Sequence, residues 1–151
     1  MSYIIGMNVS DVTTDRQFVL GSIGQTFDGK LYKYIVYDAA TAAAAGVAGE
    51  VAYYVAATGY AANAVTSDLS DSDKVGAGVI QATMADASYG WVQIKGQATL
   101  TIALTAGADG NALTAVGAGD GTLDVSGAVT DAVVAYAGDA SAKIILCDFP
   151  Y

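Results

Sequence analysis

Hydrophobic and polar positions alternate over short stretches of this chain, and glycine and aspartate cut those stretches apart. The clearest is Leu31-Tyr32-Lys33-Tyr34-Ile35-Val36-Tyr37, rich in the aromatic and β-branched residues that suit a pleated, half-buried surface. As a strand it puts Tyr32 and Tyr34 on one face and Leu31, Lys33, Ile35 and Tyr37 on the other. Asp28-Gly29 just ahead of it is the residue pair of a tight hairpin, and Gln17-Phe18-Val19-Leu20-Gly21 is a further short strand candidate. Strands are also predicted at residues 50–56, from 64 onward and at 76–82, with a polar loop at 67–74 between the last two. Residues 89–94 and 98–104 read as a hairpin turning at Lys95-Gly96-Gln97, and residues 132–136 and 142–147 supply the last strands, linked by Gly138-Asp139.

Two regions break the pattern. Residues 1–15 lack sustained periodicity and are read as an amino-terminal arm, which leaves residues 16–151 as one β-rich domain. Ala39-Ala40-Thr41-Ala42-Ala43-Ala44-Ala45 has high helix propensity, but Gly46 and Gly49 follow at once, so a turn of helix or a loop is expected. Short strands between Gly and Asp turns predict an all-β fold: a single-domain sandwich or barrel of antiparallel strands with at most one or two short helical turns.

Composition narrows the function. Charged residues are only 14% of the 151 and hydrophobic ones 54%, much of it alanine beside 18 glycines. Such a bland surface is suited to burial in an assembly. The net charge is −9, and the six bases (Arg16, Lys30, Lys33, Lys74, Lys95, Lys143) form no cluster. Nucleic-acid binding is therefore not expected, nor is adsorption to an anionic membrane. The amino terminus has no basic region followed by a long apolar core, so synthesis in the cytoplasm is expected.

The chain has no histidine and a single cysteine, Cys147, within Ile144-Ile145-Leu146-Cys147. That leaves no imidazole base and no partner to activate the thiol. Asp109, Asp120 and Asp124 lie among turn glycines, where aspartate serves turn geometry. Asp68, Asp71 and Asp73 concentrate carboxylates of the kind calcium prefers, but Val79 stands where an EF-hand needs its bidentate glutamate. No cofactor, metal or catalytic residue is assigned.

Aromatic residues carry the interface candidates. Consecutive Tyr53 and Tyr54 face opposite ways in a strand, so one of them is expected outside the core. Tyr89 and Trp91, the only tryptophan, share a strand face, and Phe149-Pro150-Tyr151 ends the chain in apolar residues. Tyr53, Tyr54, Tyr89, Trp91, Phe149 and Tyr151 are the predicted contact residues.

Several stretches together resemble the capsid decoration, or cement, proteins of tailed phages. They are Phe27-Asp28-Gly29-Lys30-Leu31-Tyr32-Lys33-Tyr34, Ala45-Gly46-Val47-Ala48-Gly49-Glu50-Val51, and Gly78-Val79-Ile80-Gln81-Ala82 followed by Tyr89-Gly90-Trp91-Val92-Gln93. The resemblance implies a small structural virion protein, often a homotrimer, that sits on the capsid exterior, binds the major capsid protein and braces the shell. It implies no cofactor. A tail-tube or fibre-associated β-domain shares this composition, as does a bacterial surface adhesin or carbohydrate-binding module.

Overall fold

The alternation over Leu31–Tyr37 becomes a seven-residue strand whose two faces feed two different apolar clusters, and the rest of the architecture is built around that strand. The structure is a computed structural model that describes residues 7–39 and 44–151. In chain order its elements are β1 (Ile23–Gln25), β2 (Leu31–Tyr37), β3 (Val51–Val55), the short helix α1 (Gly59–Ala62), β4 (Ala64–Thr66), β5 (Ser72–Ile80), β6 (Tyr89–Thr99), β7 (Ala112–Thr114), β8 (Asp124–Val125), β9 (Val133–Asp139) and β10 (Ile144–Asp148). Strands make up 41% and helix 3%, so the fold is all-β, as the sequence predicts.

Pairing closes five of the strands into a ring. β2 runs parallel to β4 (Val36↔Ala64, Tyr37↔Val65); β4 is antiparallel to β3, β3 to β5, and β5 to β6. β6 then returns to β2, from Leu31↔Lys95 to Val36↔Tyr89. Closure removes the free edges that an open sheet of these short strands would present. β1 adds to β2 across the Asp28-Gly29 turn, with Gln25 opposite Leu31.

β6 also founds a second layer. Its far end pairs with β10, from Asp148↔Lys95 to Ile144↔Thr99, and β9, β7 and β8 follow outward as a four-stranded wing with β10. The wing's inner face (Leu113, Val134, Ala135, Ala137, Ile145, Cys147) merges with the ring interior (Leu31, Ile35, Val65, Val92, Ile94) in one continuous core. Each large apolar side chain buried there contributes roughly 1.5–3 kcal/mol.

Three predicted elements differ. Residues 89–104 do not form a hairpin: β6 is a single strand through Gly96, whose positive φ of 98° bends the chain without reversing it, so residues 98–99 pair with β10 instead of folding back. Residues 17–21 are not a strand. The Ser22 N–H and hydroxyl both donate to the Val19 carbonyl in a turn, and β1 starts at Ile23. The predicted loop at 67–74 is shorter, because β5 begins at Ser72. Within the Ala-rich stretch, residues 40–43 lie outside the described residues.

Candidate functional site

Two aromatic clusters occupy opposite sides of β2, as its alternation requires. On the outer side, Tyr32, Tyr34 and Trp91 form an apolar cluster of their own. Tyr34 and Trp91 are direct cross-strand partners with ring centres 5.1 Å apart. Phe18 closes over both, at 5.2 Å from Tyr34 edge-on and 5.4 Å from Trp91. Tyr89 stacks on Tyr34 at 6.3 Å. Met7, Val9 and Leu20 complete the cover. Residues 7–15 of the predicted arm thus lie on the chain's own barrel, pinned where Thr13 and Tyr89 exchange backbone hydrogen bonds of 3.0 and 2.8 Å.

On the inner side, Lys33 points into the ring and is buried. Its ammonium donates to the Tyr54 hydroxyl at 2.9 Å and lies 5.1 Å from the Tyr54 ring centre and 5.0 Å from that of Tyr60. Tyr54 in turn donates to the Pro150 carbonyl at 3.4 Å, which ties the carboxy-terminal segment to the barrel. Burial lowers the Lys33 pKa below its ordinary value and raises that of the Tyr54 phenol. The two rings offset part of the cost of holding the cation away from water.

These positions correct the predicted contact set. Tyr53, Tyr54, Trp91 and Phe149 are fully buried within the chain itself. The parity argument fails at Tyr53 and Tyr54 because a ring strand has cover on both sides. Tyr54 faces Lys33 inside, while the Tyr53 hydroxyl is outside under the wing loop, donating to the Gly119 carbonyl at 2.9 Å and accepting from Thr122 N–H at 2.9 Å. Phe149 packs where a side chain at Gly76 would stand, 2.7 Å from that Cβ position. Tyr89 is half-buried in the outer cluster, and Tyr151 is the exposed member of the set at 58%.

An exposed apolar row that the sequence reading did not single out lies on the outer face of the wing. Tyr136 and Leu146 are register partners on β9 and β10, 45% and 48% exposed. Gln97 flanks Leu146 on β6, and Ala112 flanks Tyr136 on β7. A methyl group placed at Gly138 would meet Ile144 Cγ2 at 3.5 Å and Leu146 Cγ at 3.8 Å, so these side chains form one surface. Lys95 and Asp148, paired at 3.4 Å, border it. Strand parity held the signal: Ala135 and Ala137 point inward, which leaves Tyr136 outward.

The acidic loop serves the backbone. Asp68 accepts from the Ser70 N–H and hydroxyl, which lower its pKa, and Asp73 accepts from Ala57 N–H. Among the described residues no three acidic or cysteine side chains converge as a metal group. Burial pushes the Cys147 thiol up to about 12. A polar groove of about 300 Å³ opens between β5 and the bend of β6, lined by Lys30, Gln81, Gln93, Gln97 and Thr99 among others. No family model matches this chain, and no curated protein or solved structure matches it either.

Proposed function

We propose that this chain is a structural virion protein that decorates the outer surface of a tailed-phage capsid and stabilises the shell by binding the major capsid protein, acting as a homotrimer. The observation that carries the reading is the contiguous apolar row of Ile144, Leu146 and Tyr136 on the wing, presented on a rigid four-stranded face. Surfaces of this kind mark protein contact sites. Large aromatic and aliphatic anchors with a polar rim, here Gln97, Lys95 and Asp148, are the usual anatomy of such contacts.

The rest of the design serves stiffness. The ring has no open edge, and the Tyr53, Tyr54 and Tyr37 hydroxyls bind loop or terminal backbone, as in the 3.1 Å bond from Tyr37 to the Ala44 carbonyl. A brace under load needs that rigidity. Recombinant chain added to purified empty heads tests the reading by co-sedimentation. Tyr136→Ser combined with Leu146→Ser lowers binding at least about tenfold while the melting temperature stays put, since exposed substitutions leave stability within about 0.5 kcal/mol. Failure of the parent chain to bind expanded heads contradicts it.

A carbohydrate-binding module is the second reading, and the amide-lined groove of Gln81, Gln93 and Gln97 favours it. Glycan-array binding that is lost in Gln97→Ala and retained in the Tyr136/Leu146 double variant selects this alternative.

A further inference from the structure

The segment from Met7 to Leu20 belongs to the fold in a different way from the rest of the chain. Its apolar side chains Met7, Val9, Phe18 and Leu20 pack on the outer aromatic cluster and not on the main core; Val12 alone among them reaches the latter. Among the described residues, its hydrogen bonds to the barrel are the Thr13–Tyr89 pair and the 3.0 Å bond from Gln17 N–H to the Tyr34 hydroxyl. Continuous pairing with β2 starts only after it, where Gly21 N–H donates to the Tyr34 carbonyl at 2.8 Å. The junction is a turn with Gly21 at a φ of 84°, a conformation that glycine adopts without strain.

The barrel side of the contact is preformed. The β2–β6 ladder fixes Tyr34 and Trp91 opposite each other whether or not the segment is seated. Gly24 leaves the space that the Met7 sulfur fills, since a Cβ there would stand only 2.1 Å from it. Removing the segment leaves the five-stranded ring closed and uncovers its main core only where Val12 packs. A satellite cluster of this kind opens at lower free energy than the whole domain. A segment joined by a turn and seated on a preformed face can make the same contacts with another copy, because exchange creates and loses no contact type.

We propose that the outer face of β2 and β6 is a socket for the Met7–Leu20 segment, filled by the chain's own segment in the isolated protein and by that of a second copy when copies are concentrated in an assembly. The occupant is defined by the intrachain contact: Phe18 between Tyr34 and Trp91, Met7 over Gly24, and the Thr13 backbone against Tyr89. Exchange of this kind joins copies to each other whatever surface they sit on.

Cysteine pairing between differently labelled chains tests it. Thr13 and Tyr89 exchange both backbone hydrogen bonds, a pairing with Cα atoms about 5.5 Å apart, within disulfide reach. A Thr13→Cys chain in heavy isotope is mixed with a light Tyr89→Cys chain and oxidised with diamide over a range of concentrations. The expected result is a heavy–light 13–89 disulfide whose yield rises with concentration and exceeds that of an Asp15→Cys control several-fold. Adding Phe18→Ala to the heavy chain lowers the yield about tenfold. No heavy–light link, under conditions where the double variant closes within one chain, overturns the proposal. Thermal melting followed by far-ultraviolet circular dichroism checks that each variant is folded. The unmodified chain gives a second readout through exposed Arg16, the only arginine. An arginine-specific protease cuts after it with residues 17–151 still folded if the segment lifts as a unit; cutting only on global unfolding overturns the separability on which exchange depends.

Discussion

The Tyr53 hydroxyl accepts the Thr122 N–H at 2.9 Å and joins the closed ring to the loop ahead of β8, 69 residues later in the chain. The same oxygen donates to the Gly119 carbonyl, so one phenol holds both sides of a glycine-rich turn. This staple adds a side-chain link from the ring to the loop ahead of β8, beside the β6–β10 pairing that joins the ring to the wing.

Tyr53→Phe therefore leaves the buried Thr122 N–H without its acceptor. A loss of about 1–3 kcal/mol in unfolding free energy is expected, read by urea denaturation. Faster hydrogen exchange at Thr122 than at ring amides such as Ile94 localises the effect. A loss below about 0.5 kcal/mol contradicts the staple.

Lys33→Met replaces a buried ammonium with an apolar side chain of similar length. Such replacements are often neutral or stabilising, so the melting temperature at neutral pH is expected to hold or rise. Tyr54→Phe has the opposite sign, because it strips the acceptor from Lys33 and the donor from the Pro150 carbonyl; about 1–3 kcal/mol is lost. The pH profile separates the two groups. The folded Lys33 pKa lies below the unfolded value, so the unfolded state binds more protons between them and stability rises with pH in that window, up to 10.5. The folded Tyr54 pKa lies above the unfolded value of 10.0, so its contribution is complete below that pH and is lost above it. Chemical denaturation at pH values below 10.5 should show a more positive slope of stability against pH in the parent and in Tyr54→Phe than in Lys33→Met.

Cys147 adds a second alkaline limit. Its folded pKa of about 12 exceeds the ordinary 9.0, so its stabilising contribution is complete below 9.0 and is lost as pH rises toward 12. Cys147→Ala is expected to be less stable at pH 7 because a buried side chain is shortened. Its stability should nevertheless fall less steeply than the parent's between these two pH values. Equal slopes in both proteins contradict the burial account.

Gly96→Ala tests the bend in β6. The new Cβ would stand 2.8 Å from Lys30 Cγ on a backbone with φ of 98°. A destabilisation of about 1–3 kcal/mol is expected, measured by thermal melting.

Legibility in the sequence followed how local the physics is. The Leu31–Tyr37 alternation assigned both faces of β2 correctly, because period-2 patterning against two apolar layers needs only the strand's own residues. The Asp28-Gly29 turn was legible for the same reason. The Gly96 bend was misread as a hairpin because glycine permits both, and only the distant partner β10 decides between them. Tyr53, Tyr54 and Trp91 are buried because β3 and β6 are covered on both sides, by the ring interior on one and by the wing loop or the Met7–Leu20 segment on the other. Phe149 is buried because Gly76 leaves it room. These are long-range contacts that no short window contains. Tyr136 and Leu146 become visible as a pair only when the β9–β10 register is known.

The capsid reading is tested most directly by counting copies of this chain in particles purified from its source, by quantitative mass spectrometry against the major capsid protein. Decoration predicts a number near one copy per capsid subunit, hundreds in all. A few copies per particle, or none, contradicts it.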